Sequence, residues 1–318
     1  MVQTNCIDKF AIVVCGPTGS GKTKLAIKLA NLFDGEILSA DSIAIYKGLD
    51  IGAAKPDNYE KSLAVHHMID VVMPTEEFSV AEYKEMARKI LFDILNRNKT
   101  PIICGGTGYY IDALLYDFSY GNCPKDEEFR LECDKIIENE GIELLYKKLQ
   151  EVDPETAQIL HLNDKMRIVR ALEIYHTTGQ KKSQIVDEKR AIIPFFAFSY
   201  QDDRGKLYSK INARVDKMFD DGLMDEVKGL IDSGVSPTAQ SMQGIGYKEV
   251  VDGLNNNFTI EKIKETIKLN TRHYAKRQIT WFKRLENLQY IERTNEETEI
   301  VKIKEYIDGY TKNWTTYL

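Results

Sequence analysis

The sequence predicts an α/β protein: a parallel sheet flanked by helices, interrupted by an all-helical insertion. Three observations carry that prediction. Phe10–Cys15 and Thr100–Cys104 are apolar runs that each end in a glycine-rich turn and lead into a helix-patterned segment, the succession expected of a parallel sheet. Between about Asp117 and Lys189, four helix-patterned segments follow one another with no strand pattern between them. A strand pattern then resumes at Ile192–Tyr200, so the helical stretch reads as an insertion. The expected division is 1–116 and 190–318 for the core and 117–189 for the insertion.

A chain of 318 residues has room for one large core plus an inserted subdomain. Its 43% hydrophobic and 29% charged residues are those of a globular protein. The net charge of −6 argues against a generally basic nucleic-acid coat and leaves only a local basic face to be sought. Five cysteines form no CxxC pair and no metal-ligand spacing, which predicts reduced thiols and a cytoplasmic location. No export signal is visible, and no apolar run approaches the roughly 18 residues of a membrane span.

In chain order, the first strand runs into Gly16-Pro17-Thr18-Gly19-Ser20-Gly21-Lys22-Thr23, followed by the helix pattern Lys24–Ala30. Small residues let successive backbone N–H groups turn inward around an anion, and the helix N-terminus adds partial positive charge. Lys22 supplies a full charge, and the Thr23 hydroxyl can ligate Mg²⁺. The core is therefore P-loop NTPase-like. Taken alone, this loop suggests a nucleotide such as ATP.

Glu36–Ser42 is a short strand ending in Asp41. Ligands of open α/β sheets bind beyond the carboxyl ends of strands, so Asp41 is expected at the same mouth as the phosphate loop. There it can bind Mg²⁺, act as a general base, or cap a turn. His66 and His67 precede a candidate strand, Met68–Val72; neighbouring strand side chains diverge, which disfavours a shared metal. Ser79 caps a helix to Asn96 whose apolar stripe is core. The turn Gly105-Gly106-Thr107-Gly108 either lets a ligand approach the backbone closely or only packs tightly, and Thr107 offers a hydroxyl.

The insertion reads as helices over Glu127–Asn139, Ile142–Val152, Pro154–Leu160 and Lys165–Thr177. Arg167 and Arg170 share one helix face. With Arg130, they either pair with Glu173 and its neighbours or face an anionic partner. After the resumed strand come an amphipathic helix carrying Arg214, a helix over Leu223–Ser233, and the loop Ser241–Lys248. The helix from Thr259 contains Lys264, Lys268, Arg272, Lys276, Arg277, Lys283 and Arg284 against Glu265, with Tyr274, Trp281 and Phe282 interleaved. It is either a phosphate-backbone footprint or a face neutralised by acids of neighbouring elements. The final segment is expected to cover the core.

Together these stretches resemble the tRNA dimethylallyltransferase (tRNA isopentenyltransferase) family from end to end. The matching segments are GPTGSGKT at 16–23, SADSIAIYKGLDIGAAKP at 39–56 and GGTGYYIDALL at 105–115. Further on they are RIVRALEIYHTTG at 167–179, MQGIGYKE at 242–249 and YAKRQITWFKR at 274–284. The resemblance implies transfer of a dimethylallyl group from dimethylallyl diphosphate to N6 of the adenosine 3′-adjacent to the anticodon, in tRNAs reading codons that begin with U. The loop would hold a diphosphate that leaves, with Mg²⁺ on Thr23. Asp41 would be the general base, Arg214 would stabilise the departing diphosphate, and Thr107 would contact the target nucleotide or that diphosphate.

By the same resemblance, the tRNA anticodon stem-loop would be held by Asp41, Ser42, Ile43, Ala44 and Thr107. Arg130, Met166, Arg167, Ile168, Val169 and Arg170 of the insertion would add contacts. So would Gln243, Gly244, Ile245, Gly246, Tyr247 and Lys248, and Arg272, Lys276 and Arg277. Many members carry glutamine at the position of Ala44 and arginine at that of Gln243, a departure that bears on tRNA affinity. A monomer is expected. The competing classes are a P-loop small-molecule kinase, an RNA-binding NTPase switch, and an adenylate isopentenyltransferase acting on free nucleotides.

Overall fold

The computed structural model describes residues 9–118, 123–185 and 189–314. The chain forms two compact units. The first comprises the residues up to Leu115 and from Ile192 onward, and the second is Tyr116–Ala191.

In the first unit the elements are β1 (Ala11–Cys15), α1 (Lys22–Leu32), β2 (Gly35–Ala40), α2 (Asn58–Leu63), β3 (His66–His67), α3 (Val80–Asn96), β4 (Thr100–Gly105) and α4 (Gly108–Leu115). The second unit supplies α5 (Glu127–Glu140), α6 (Ile142–Val152), α7 (Pro154–Ile159) and α8 (Lys165–Thr178). The first unit then resumes with β5 (Phe195–Gln201), α9 (Arg204–Asp220), α10 (Leu223–Asp232), α11 (Tyr247–Asn255), α12 (Ile260–Phe282), β6 (Leu288–Glu292) and α13 (Glu296–Trp314).

The strands make one sheet in the order β3-β2-β4-β1-β5-β6, and every pairing is parallel. Parallel strands are buried on both faces, which is why β1 reads as an unbroken apolar run. Its residues Ile12 and Val14 pack with Leu25, Leu29, Ile102, Phe196 and Phe198, and with Ile303 and Ile307 of α13. The helix starts follow local chemistry. Asp57 with Glu60, and Ser79 with Glu82, form reciprocal capping boxes, and Asp153 caps α7 ahead of Pro154 at its first turn.

One expectation is corrected. Met68–Val72 is not a strand; the strand is His66–His67, paired with Ile37 and Leu38. Met68 and Asp70 have φ of 60° and 58°, a left-handed conformation that no strand accommodates.

Where β2 and β4 lie side by side, Gly105 faces Ala40 in register. A Cβ on Gly105 would sit 2.1 Å from the Ala40 carbonyl oxygen, backbone that cannot swing aside. Gly105→Ala is therefore expected to destabilise the chain by about 3 kcal/mol or more, read as a lowered urea midpoint at unchanged slope.

The helical unit closes on itself through an antiparallel bridge between Tyr116 and Ala191. Its core is Cys133, Leu145, Leu149, Ala157, Ile168, Val169, Ala171 and Leu172. Among the described residues, no helix is long and apolar enough to cross a membrane.

Candidate active site

The strand β1 ends at Cys15, and the loop 16–21 delivers the chain into α1 at Lys22. Gly21, at φ 74°, is the N-cap of α1 and offers no side-chain acceptor, so the first-turn N–H groups are left for an outside anion. The Lys22 Nζ donates to the Pro17 carbonyl at 2.8 Å, across the mouth of the loop. Burial pushes the Lys22 ammonium below its ordinary range, and the Asp41 carboxylate works against that shift. Burial also drives the neighbouring Cys15 thiol up to about 12, and it raises Cys104 to about 11, so both stay neutral. The Ser20 hydroxyl is buried and has no hydrogen-bond partner among the described residues. A buried hydroxyl left open in a phosphate loop is one more group an anion can satisfy.

Asp41 stands immediately after β2. Its Oδ1 accepts the N–H groups of Ile43 at 2.9 Å and Ala44 at 3.2 Å, which holds the carboxylate in a tight turn. The Thr107 hydroxyl accepts the Ser42 N–H at 3.1 Å, and the Thr107 N–H donates to the Ala40 carbonyl at 3.1 Å. The second glycine turn is thus stitched to the segment bearing Asp41. Arg214, from α9, donates to the Ala53 carbonyl at 3.4 Å. Burial lowers its affinity for a proton, and Asp41 opposes that change.

A cavity of about 500 Å³ brings many of the expected residues to one place. Thr18, Lys22 and Thr23 come from the loop, Asp41 to Ala44 from beyond β2, and Arg214 from α9. Gln243, Gly244, Ile245 and Arg277 complete that part of the wall. The segment after Asp41 is tied down by Glu226 of α10. Its carboxylate accepts the N–H groups of Asp50, Ile51 and Gly52 at 3.0, 2.8 and 3.2 Å, and the Tyr247 hydroxyl at 2.6 Å.

Other expected residues lie elsewhere. Tyr247 is fully buried and spent on Glu226, so its ring is structural, and Gly246 is buried beside it. Lys248 lines a separate cavity of about 300 Å³, shared with Gln243, Ile245 and Arg277. Of the cations along α12, Lys268 and the expected tRNA contact Arg272 are engaged within the protein. Lys268 pairs with Asp216 at 2.8 Å, and Arg272 donates to Asn212 at 2.8 Å, because α9 packs along that face. Lys276 and Arg277 remain exposed.

Sequence reasoning missed Gln278. Its Oε1 accepts the Thr18 N–H at 2.9 Å, and its Nε2 donates to the Gly106 carbonyl at 2.8 Å. One buried amide therefore couples the phosphate loop to the second glycine turn. Tyr274 lies one helical turn earlier, and burial followed by the Asp41 charge pushes its phenol up to about 12. Trp281 donates to Asp112 at 3.1 Å. The signal was available as an i, i+4, i+7 face within YAKRQITWFKR, but the surrounding cations masked it. The same contacts give the glycine turn a packing role, while Gly105 and Gly106 also line the cavity. A Cβ at Gly106 would strike the Gln278 amide and one at Gly108 the Trp281 ring, so close packing on protein explains both.

Within the helical unit, Ile168 and Val169 are corrected as contact residues. They are 0% and 7% exposed and belong to the core. Arg130 donates to the buried Glu173 carboxylate at 2.6 and 2.8 Å, and Arg170 donates to it at 2.5 Å. Met166 and Arg167 are the exposed members of this set, Arg167 lying 3.3 Å from Asp164.

A phosphate loop, two cations and a carboxylate on one cavity can hold an anion of diphosphate size and take a proton from a group brought to it. Comparison with known proteins points the same way. The family model described as IPP transferase matches residues 44–285. The tRNA dimethylallyltransferase of Acetivibrio thermocellus is 43% identical over 302 residues, covering 93% of this chain and 96% of that protein. The tRNA dimethylallyltransferase of Bacillus cereus is 42% identical, with 95% of each chain covered. Among solved structures, the full-length tRNA isopentenylpyrophosphate transferase from Bacillus halodurans superposes with a TM-score of 0.74 at 36% identity, covering 97% of this chain and 99% of that one. A eukaryotic dimethylallyltransferase acting on tRNA superposes with a TM-score of 0.80 at 28% identity, covering 95% and 80%.

Proposed function

The chain belongs to the IPP transferase family, and from that premise we propose that it is a tRNA dimethylallyltransferase. It transfers the five-carbon group of dimethylallyl diphosphate to N6 of the adenosine 3′-adjacent to the anticodon, in tRNAs reading codons that begin with U, and releases diphosphate. The observation that carries this reading is the cavity itself. It sets Asp41 on the same wall system as Lys22, Thr23 and Arg214, so a base and an anion cradle serve one substrate space.

The chemistry needs both. The exocyclic amine is a poor nucleophile because its lone pair is delocalised into the purine. As N6 bonds to the allylic C1, the C1–O bond breaks, its electron pair leaves with the diphosphate, and the N6 proton passes to Asp41. Lys22, Arg214 and the N–H groups of the loop meet the charge that develops on the leaving diphosphate. The Ser42 N–H and the Ala40 carbonyl hold Thr107 against the segment that carries Asp41.

Magnesium fits the donor set. Among the described residues no group of three or more His, Cys, Asp or Glu side chains forms a cage. Mg²⁺ instead suits a site with few protein ligands and substrate phosphates. Thr23 would hold it, and the ion would supply charge neutralisation to the diphosphate. Ser42 to Ala44, Gln243 to Ile245 and Arg277 line the cavity as the contacts for the anticodon loop; Lys276, and in the helical unit Met166 and Arg167, are further exposed candidates. An intracellular location accords with a tRNA substrate.

The test is reaction of the chain with unmodified tRNA and dimethylallyl diphosphate, followed by nucleoside mass spectrometry. The expected result is adenosine carrying an added C5H8. Parallel arms offer ATP with small acceptors, and free adenylate. Phosphate gain in the first, or prenylation confined to free adenylate in the second, would sink the reading.

A further inference from the structure

The phosphate loop is braced from behind by a group outside the cavity lining. Arg293 follows β6, and its Nη2 donates to the carbonyl oxygen of Ser20 within the loop. The same guanidinium is clamped on Asp202, just past β5, through Nε at 2.5 Å and Nη2 at 3.0 Å. Asp202, whose side chain is only 5% exposed, also receives Lys210 at 3.1 and 3.2 Å. The guanidinium lies 3.9 Å above the Tyr200 ring. Tyr200 donates in turn to Glu299 at 2.7 Å, and Glu299 accepts the Thr294 N–H at 2.9 Å. Arg293 is therefore held by Asp202 and by the Tyr200 ring, and its third contact is the loop.

We propose that Arg293 is a positioning residue for diphosphate binding, which it serves by orienting the Ser20–Gly21 peptide. In a trans peptide the C=O and the following N–H point in opposite directions. No cis bond occurs among the described residues. Drawing the Ser20 carbonyl outward thus turns the Gly21 N–H toward the concave side, where an anion nest requires it. Gly21 is also the N-cap of α1, so this peptide sets the direction in which the helix presents its first free amides. Arginine suits the position because its planar fork serves Asp202 and a carbonyl at once, which an ammonium at the end of a flexible stem does not.

The inference rests on the reading of the loop as a diphosphate cradle, and its test does not depend on turnover. Binding of inorganic diphosphate is measured by titration calorimetry for wild type, Arg293→Gln and Asp202→Asn, beside thermal unfolding of each without ligand. Arg293→Gln is expected to weaken diphosphate binding about tenfold, and Asp202→Asn about threefold, the loss of charge-assisted hydrogen bonds. In steady state, KM for the allylic diphosphate rises while KM for tRNA stays unchanged, a split that a merely structural role would not produce. Should Arg293→Gln fail to fold, the isosteric Asp202→Asn decides. Wild-type diphosphate affinity in a folded Arg293→Gln, or in Asp202→Asn if that variant alone folds, overturns the proposal. A chain that binds diphosphate with this dependence yet transfers no prenyl group refutes the proposed function and leaves the role of Arg293 standing.

Discussion

Asp41→Asn is expected to lower the rate of prenyl transfer by roughly 10²- to 10⁴-fold, the range removed with a general base. The variant isolates the proton. Asparagine keeps an oxygen where Oδ1 accepts the Ile43 and Ala44 N–H groups, so the turn that carries the side chain survives. It cannot take the N6 proton, and the amine remains a weak nucleophile. Single-turnover rates with saturating donor and tRNA measure the effect, with tRNA and diphosphate affinities as controls. A rate within a few fold of wild type at unchanged affinities would remove Asp41 from the role of base.

The second large effect lies in the helical unit. Glu173 is fully buried and accepts hydrogen bonds from Arg130, Arg170 and the Asp126 N–H. Glu173→Ala leaves two guanidinium groups and a backbone donor without their acceptor, and such half-broken ion networks cost about 3–5 kcal/mol. Partial exposure of both arginines places the expected loss near the lower figure. Burial by itself would raise the Glu173 pKa, but the hydrogen bonds from Arg130 and Arg170 outweigh it and hold the carboxyl down to about 2, against an ordinary 4.5. The sign follows. Between those values the unfolded chain binds the proton and the folded chain does not, so stability rises with pH there. The contribution is fully present above about pH 4.5 and is lost as pH falls through 2. Thermal unfolding between pH 7 and pH 3 should show this slope in wild type and a flatter one in Glu173→Gln. Equal slopes would show that Glu173 is not the titrating group.

Much of the fold was legible in sequence because its causes are local. The helical insertion was read to within two residues at each helix end, since capping acids, Pro154 and Gly141 act within a turn. The strand at 68–72 failed for the opposite reason. An edge strand of two residues is set by its pairing with β2, and Met68 and Asp70 turn the chain away immediately afterwards. The cations were the least legible. Their number along α12 was visible, but Lys268 and Arg272 meet α9, while Arg130 and Arg170 meet a buried acid.

By itself, then, the sequence determined the phosphate loop, the acid at the end of β2 and the succession of strands and helices. Each of these is encoded by residues that satisfy one another's backbone groups a few positions apart. Only the tertiary structure decided what each charged or polar side chain is for. Gln278 answers Thr18 across 260 positions, Arg293 answers Ser20 across 273, and Arg130 answers Glu173 across 43. A side chain's chemistry can be read in place, whereas its partner is chosen by packing. In this chain, packing turned some of the expected tRNA contacts into structure and brought a buried glutamine and a distant arginine to the phosphate loop.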